Sequence, residues 1–187
     1  MENTALLIID MQNDFVGPGA PLRVAGADGI IGPITTILNR FREMNLPVIH
    51  LLRVHRPGGA DVEYFRRDLF TKTPFAVAGT KGAEVIDLLR PLPGEHILSK
   101  TRMSGFFGTD LDLLLRSLGV KTIIVVGIQT PNCIRTTVFD AMAFGYETYL
   151  VSDATAAANE EIHLANIRDM AAIGVRILTT GDCSVMI

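Results

Sequence analysis

The sequence predicts an α/β fold, a three-layer sandwich whose central, mostly parallel sheet of about six strands is flanked by helices. Two observations carry this. Short aliphatic runs alternate along the chain with stretches whose apolar residues recur at helical spacing. Alternation of this kind requires parallel strands with helices on both faces. In addition, the runs at 5–9 (ALLII) and 123–126 (IIVV) are continuously apolar. Strands buried on both faces read that way.

In chain order, residues 5–9 form the first strand, and Asp10 stands at its C-terminal end. Residues 11–26, rich in Gly and Pro, read as a long loop. Residues 31–45 have apolar positions suited to an amphipathic helix, closed by Asn45 and Pro47. Residues 47–52 are a second strand. Residues 53–82 are irregular and hold the aromatics Tyr64, Phe65, Phe70 and Phe75. They suit a cap over a site, a subunit contact or plain core packing. A short helix is predicted over 83–89 and a short strand over 95–98, with Lys100 just beyond. A helix begins at Thr109, with Asp112 as partner in a capping box. The strand at 123–126 ends at Gly127, and a helix carrying Ile134, Val138, Ala141 and Met142 follows, capped by Thr130 or Asn132. Residues 148–151, 160–173 and 175–178 complete the pattern as strand, helix and strand. No repeat or linker divides the chain, so residues 1–187 read as a single domain.

Composition limits the function. The chain is 48% hydrophobic and 20% charged, with a net charge of -3. Disorder is excluded, and nucleic acid and anionic membranes are poor partners. The N-terminus lacks a basic signal-peptide region, and no apolar run reaches the roughly 18 residues of a membrane span. The two cysteines, Cys133 and Cys183, make no disulfide framework. A reducing cytoplasm is the expected compartment.

In open α/β sheets, chemistry sits at the carboxyl ends of the strands. Asp10, Lys100 and Cys133 all fall at that edge. Cys133 lies at or just inside a helix N-terminus, where the helix dipole is expected to lower a thiol pKa. A small Cys used as a hydrophobe is the other reading. Together the residues suit nucleophilic acyl transfer. The carboxylate takes the thiol proton, the ammonium stabilises both anions, and backbone N–H groups near Cys133 hold an oxyanion. Cys183 has no evident role.

Four segments identify a resemblance: ALLIIDMQNDF at 5–15, the run from Lys100 to Leu111, VVGIQTPNCIRTTVFDAMAFGYE at 125–147, and VSDATAA at 151–157. The chain resembles the isochorismatase-like cysteine hydrolases over nearly its whole length. The resemblance implies an Asp10–Lys100–Cys133 triad and a homo-oligomer, a dimer or tetramer. It also implies a cis peptide between Ile128 and Gln129, and an oxyanion hole of the Gln129 and Cys133 backbone N–H groups. The reaction implied is hydrolysis of an amide or ureido carbon–nitrogen bond in a small molecule through a thioester on Cys133, with no cofactor. The nicotinamidase branch carries an Asp-x-His metal pair where this chain has Arg53-Val54-His55, so no metal is expected. His50, His96 and His163 show no metal spacing. Isochorismatases that cleave a vinyl ether lack the nucleophilic Cys. The 100–111 run is closer to ureidoacrylate, biuret and carbamoyl-compound amidohydrolases. Phe15 and Phe106 are expected to wall the pocket, Gln12, Thr130 and Asn132 to offer hydrogen bonds, and Arg53 or Arg102 to hold a substrate carboxylate. The alternatives are a non-enzymatic metabolite- or partner-binding module on the same fold, a divergent isochorismatase and, less favoured for want of a C-x-x-C pair, a thiol redox enzyme.

Overall fold

The computed structural model describes residues 3–187. Its elements run β1 (Thr4–Ile9), α1 (Asn13–Val16), α2 (Ile31–Glu43), β2 (Val48–Arg53), α3 (Arg67–Lys72), β3 (His96–Lys100), α4 (Leu111–Ser117), β4 (Thr122–Ile128), α5 (Arg135–Ala143), β5 (Glu147–Ala156), α6 (Glu160–Ala172), β6 (Arg176–Leu178) and α7 (Thr180–Met186). The strands form one six-stranded sheet in the order β3-β2-β1-β4-β5-β6. Every pairing is parallel.

The central strands β1 and β4 are buried along their whole length. Their side chains alternate between two core layers, as the two-residue period of a strand requires. Leu6, Ile8, Ile124 and Val126 join α2 residues Ile34, Ile37, Leu38 and Phe41 in one layer. Ala5, Leu7, Ile9, Ile123 and Val125 join Leu111 and Leu115 of α4 and Val138 and Ala141 of α5 in the other. The chain winds outward from β1 to β3 and then returns to place β4 beside β1. The reversal opens a crevice at the carboxyl ends of β1 and β4, the usual ligand position in such sheets.

Several boundaries differ from the sequence expectation. Residues 83–89 form no regular helix, only short 3-10 turns at Lys81–Ala83 and Asp87–Leu89. Long-range pairing overrides local propensity here. Val85 bridges Gln12 antiparallel, Ile86 N–H donates to Met11 (3.1 Å), and Asn13 N–H donates to Glu84 (3.0 Å). The capping box at Thr109 is absent. Asp110 takes the N-cap position, and Thr109 Oγ1 instead accepts from Leu111 N–H (3.2 Å) and donates to Gly105 C=O (2.5 Å). Strand β5 runs past its predicted end, because a register shift lets Thr155 and Ala156 pair with Gly127 and Ile128. The C-terminal helix α7 was not anticipated. A capping box of Thr179 and Asp182 starts it, and Cys183 is its buried residue. Burial pushes that thiol up to about 12.

Residues 53–82 divide their aromatics. Phe70 and Phe75 pack edge-on against each other and against His55, whereas Tyr64 and Phe65 are exposed. Among the described residues, no helix is long and apolar enough to cross a membrane.

Candidate active site

Four strand ends bring four reactive side chains together. Asp10 follows β1 with a left-handed backbone (φ 54°). Arg53 and Lys100, the last residues of β2 and β3, are register partners. Cys133 follows β4. The Ile128–Gln129 peptide is cis. The next residues form a wide helical turn, Thr130–Ile134, in which Ile134 N–H reaches back to Gln129 C=O (3.2 Å), and α5 continues from it. Cys133 therefore lies inside the first turn of the helical segment. Gln129 takes the N-cap position without a side-chain bond, so neither Thr130 nor Asn132 caps it.

Gly127 makes the approach of β4 to β1 possible. Its φ is +112°, and a Cβ there would lie 2.2 Å from the Ile9 carbonyl oxygen. Only glycine fits that position without moving the strand ends.

The charges are buried. Lys100 Nζ donates to Asp10 Oδ2 at 2.9 Å, with both side chains almost wholly out of water. Among the described residues, Asp10 Oδ1 has no hydrogen-bond partner. Arg53, 1% exposed, places one guanidinium nitrogen 3.5 Å from Cys133 Sγ. Its other terminal nitrogen donates to Glu63 Oε1 (2.6 Å) and to Thr101 C=O (3.2 Å). Burial pushes the Cys133 thiol up, and the Asp10 charge adds to this, while Lys100 and Arg53 pull the other way. The expected depression of this thiol is therefore corrected: burial and the Asp10 carboxylate together outweigh the two cations and raise it. Burial opposes the Arg53 charge. The Asp10 and Glu63 carboxylates, and the Cys133 sulfur when it is ionised, nevertheless hold its pKa above the ordinary value. Glu63 is held below the ordinary carboxylate range by Arg53, against its own burial.

A cavity of about 300 Å³, counting its mouth, is lined by Asp10, Phe15, Arg53, Gln129, Asn132 and Cys133, with Arg66 at its side. Of the residues expected at the pocket, Phe15 and Asn132 line it. Four other residues do not. Gln12 is fully buried and spends its amide on backbone. Its Nε2 donates to Arg53 C=O (2.8 Å) and Ala83 C=O (2.7 Å), and its Oε1 accepts from Arg53 N–H (2.9 Å). Phe106 stacks on Phe144 and Tyr146 in the core. Thr130 is buried and pairs with His163 Nδ1 (2.8 Å). Arg102 is committed to backbone carbonyls of Asp61 (2.7 Å) and Thr101 (3.0 Å). Sequence reasoning missed Glu63 and Arg66, which sit in the irregular segment where no periodicity marks them.

The residues present do not fit a metal. At the place of the Asp-x-His pair, Arg53 brings a cation. His55 is fully buried against Phe70 and Phe75, and burial followed by the Arg53 charge keeps its pKa below the ordinary value. Asp61 is 3.5 Å from its Nδ1. Among the described residues no group of three His, Cys, Asp or Glu side chains is arranged to hold a metal ion.

Residues 4–182 match the isochorismatase domain family. The chain is 44% identical to a probable inactive nicotinamidase of Arabidopsis thaliana, covering 97% of this chain and 95% of the relative. It is 33% identical to the maleamate amidohydrolase of Pseudomonas putida, covering 89% and 78% respectively. The crystal structure of an isochorismatase family protein from Desulfovibrio vulgaris superposes with a TM-score of 0.96 at 44% identity, covering 100% of this chain and 98% of that one.

Proposed function

The chain belongs to the isochorismatase family, and from that premise we propose that it is a metal-independent cysteine hydrolase of a carbon–nitrogen bond in a small amide or ureido compound. The observation that carries the reading is the buried Lys100–Asp10 pair, whose carboxylate lines the same cavity as Cys133. The Cys133 thiol gives its proton to Asp10 as sulfur attacks the substrate carbonyl carbon. The carbonyl electron pair moves to oxygen, which the backbone N–H groups of Gln129 and Cys133 hold. On collapse the carbon–nitrogen bond breaks, and the proton on Asp10 passes to the leaving ammonia or amine. Water, deprotonated by Asp10, then hydrolyses the thioester. This releases the acid and restores the thiol. Lys100 keeps Asp10 in place and balances its charge. The raised thiol pKa agrees with a proton transfer coupled to attack.

The cavity's charges favour a carboxylate-bearing amide. Asp10 and Glu63 balance Lys100 and Arg53, which leaves Arg66 as a surplus cation at the wall. Among the described residues it makes no ion pair. The 33% identity to an enzyme named for maleamate supports the same class. The proposal takes the working form to be a cytoplasmic homo-oligomer.

A second reading, a chain that keeps the fold without turnover, is favoured by the name of the Arabidopsis relative, a probable inactive nicotinamidase. Ammonia release from maleamate, ureidoacrylate, biuret, N-carbamoyl amino acids and nicotinamide, with and without chelator, separates the two. Release that survives chelator and vanishes in Cys133→Ala supports the hydrolase. Silence across the panel supports the second reading.

A further inference from the structure

The proposed chemistry needs a base, a nucleophile and an oxyanion site, and the Asp10–Lys100–Cys133 triad with its backbone amides supplies them. It leaves Arg53 unused, although that residue approaches the sulfur within 3.5 Å. A guanidinium at 1% exposure is a costly thing to bury. Its position is tightly fixed from several sides. Glu63 and the Thr101 carbonyl hold one terminal nitrogen. The Gln12 amide grips the Arg53 backbone at both its N–H and its C=O. A fork held this firmly at one arm leaves the other aimed at Sγ.

We propose that Arg53 is a fourth catalytic group, a fixed cation that stabilises the negative charge developing on Cys133 sulfur, and that Glu63 sets its strength. The inference deepens the hydrolase reading and rests on it for the reaction. When the S–H bond breaks, the proton goes to the Asp10 carboxylate and the sulfur pair forms the new S–C bond. Arg53 forms and breaks no covalent bond. It lowers the energy of the negative charge that develops on sulfur as the proton leaves during attack, and again when sulfur departs as the acyl group is taken by water. A fixed charge in a water-poor site acts without reorganisation, which is where such groups contribute most. Glu63 lies on the far arm, and its negative charge weakens the field at sulfur.

The charged groups facing Cys133 are Asp10 at the end of β1, Arg53 at the end of β2, Lys100 at the end of β3, and Arg66 across the cavity. Glu63 acts through Arg53. The proposal therefore predicts opposite effects from the two ends of one ion pair. The test is the pH profile of iodoacetamide alkylation, followed at Cys133 by peptide mass spectrometry so that Cys183 does not contribute. It needs no substrate, so failure of the hydrolase reading is scored separately by ammonia release. Arg53→Met shifts the profile upward by about one pH unit or more, which is about tenfold slower alkylation at neutral pH. Glu63→Gln shifts it downward. If Arg53→Met does not fold, Arg53→Met/Glu63→Gln removes both charges together and still shifts the profile upward, because the nearer charge is lost. Shifts in the same direction from the two single variants, or an unmoved profile in Arg53→Met or in the double variant, overturn the proposal.

Discussion

Replacing Lys100 by Met tests how the site is held together. The ammonium lies 2.9 Å from Asp10 Oδ2, and neither side chain has appreciable contact with water. At an effective dielectric constant of about 20, two unit charges at that separation attract by about 6 kcal/mol. Arg53 lies nearby and offsets part of this by giving Asp10 a second cation. Lys100→Met leaves a buried carboxylate short of its main partner and is expected to destabilise the protein by about 3–5 kcal/mol. Asp10→Asn leaves a buried ammonium and is expected to cost a similar amount. The double variant Asp10→Asn/Lys100→Met removes both charges and is expected to be more stable than the two single costs predict, by about 3 kcal/mol. Urea unfolding of all four proteins, analysed as a double-mutant cycle at a common slope, measures that difference. Single costs that add to within about 0.5 kcal/mol would refute the claim that this pair acts as a buried unit.

Gly127→Ala requires a Cβ 2.2 Å from the Ile9 carbonyl oxygen at a φ of +112°. It should destabilise by well over about 1 kcal/mol and lower turnover, read by thermal unfolding and ammonia release. Gln12→Leu deprives the backbone of Arg53 and Ala83 of three hydrogen bonds; the expected cost is about 2–4 kcal/mol, measured in urea. Stability should also fall on mild acidification. Burial holds His50, His55 and His163 below the ordinary imidazole value of about 6.5, so the unfolded chain binds more protons. Stability is therefore full above about 6.5 and is lost as pH falls below it, and His50→Gln should flatten a plot of Tm against pH between about 8 and 5.

Much of this arrangement was legible in the amino-acid sequence, for a physical reason. The runs at 5–9 and 123–126 read as doubly buried strands because both faces must be apolar at the sheet centre. Their C-terminal ends then point to Asp10 and Cys133. The Lys100 ammonium was legible as a charge at the same sheet edge and as a triad member through the resemblance; its contact with Asp10 depends on β3 and β1 flanking β2, and strand order leaves no local mark. The same limit explains Gln12, read as a pocket donor, whose partners lie 41 and 71 residues away. It explains 84–86, where pairing with residues 11–13 replaces an expected helix. Phe106, inside the 100–111 run, was read as a pocket wall. Stacking on Phe144 and Tyr146 takes it into the core instead. The thiol pKa was misjudged because a helix terminus is visible in sequence and desolvation is not. Glu63 and Arg66 lie in a segment without periodicity, so only their position in space connects them with the site.

The central claim is that the carbon–nitrogen bond is broken by covalent transfer to Cys133. Its most direct test is acid quenching of the wild-type protein during steady-state turnover of the best substrate in the ammonia panel, followed by mass spectrometry. The account predicts a mass gain equal to the substrate less ammonia or amine, confined to the Cys133 peptide and absent from Cys133→Ala, which also releases no ammonia. Ammonia release by Cys133→Ala at a rate near that of the wild type, with no acyl adduct on either protein, would contradict it.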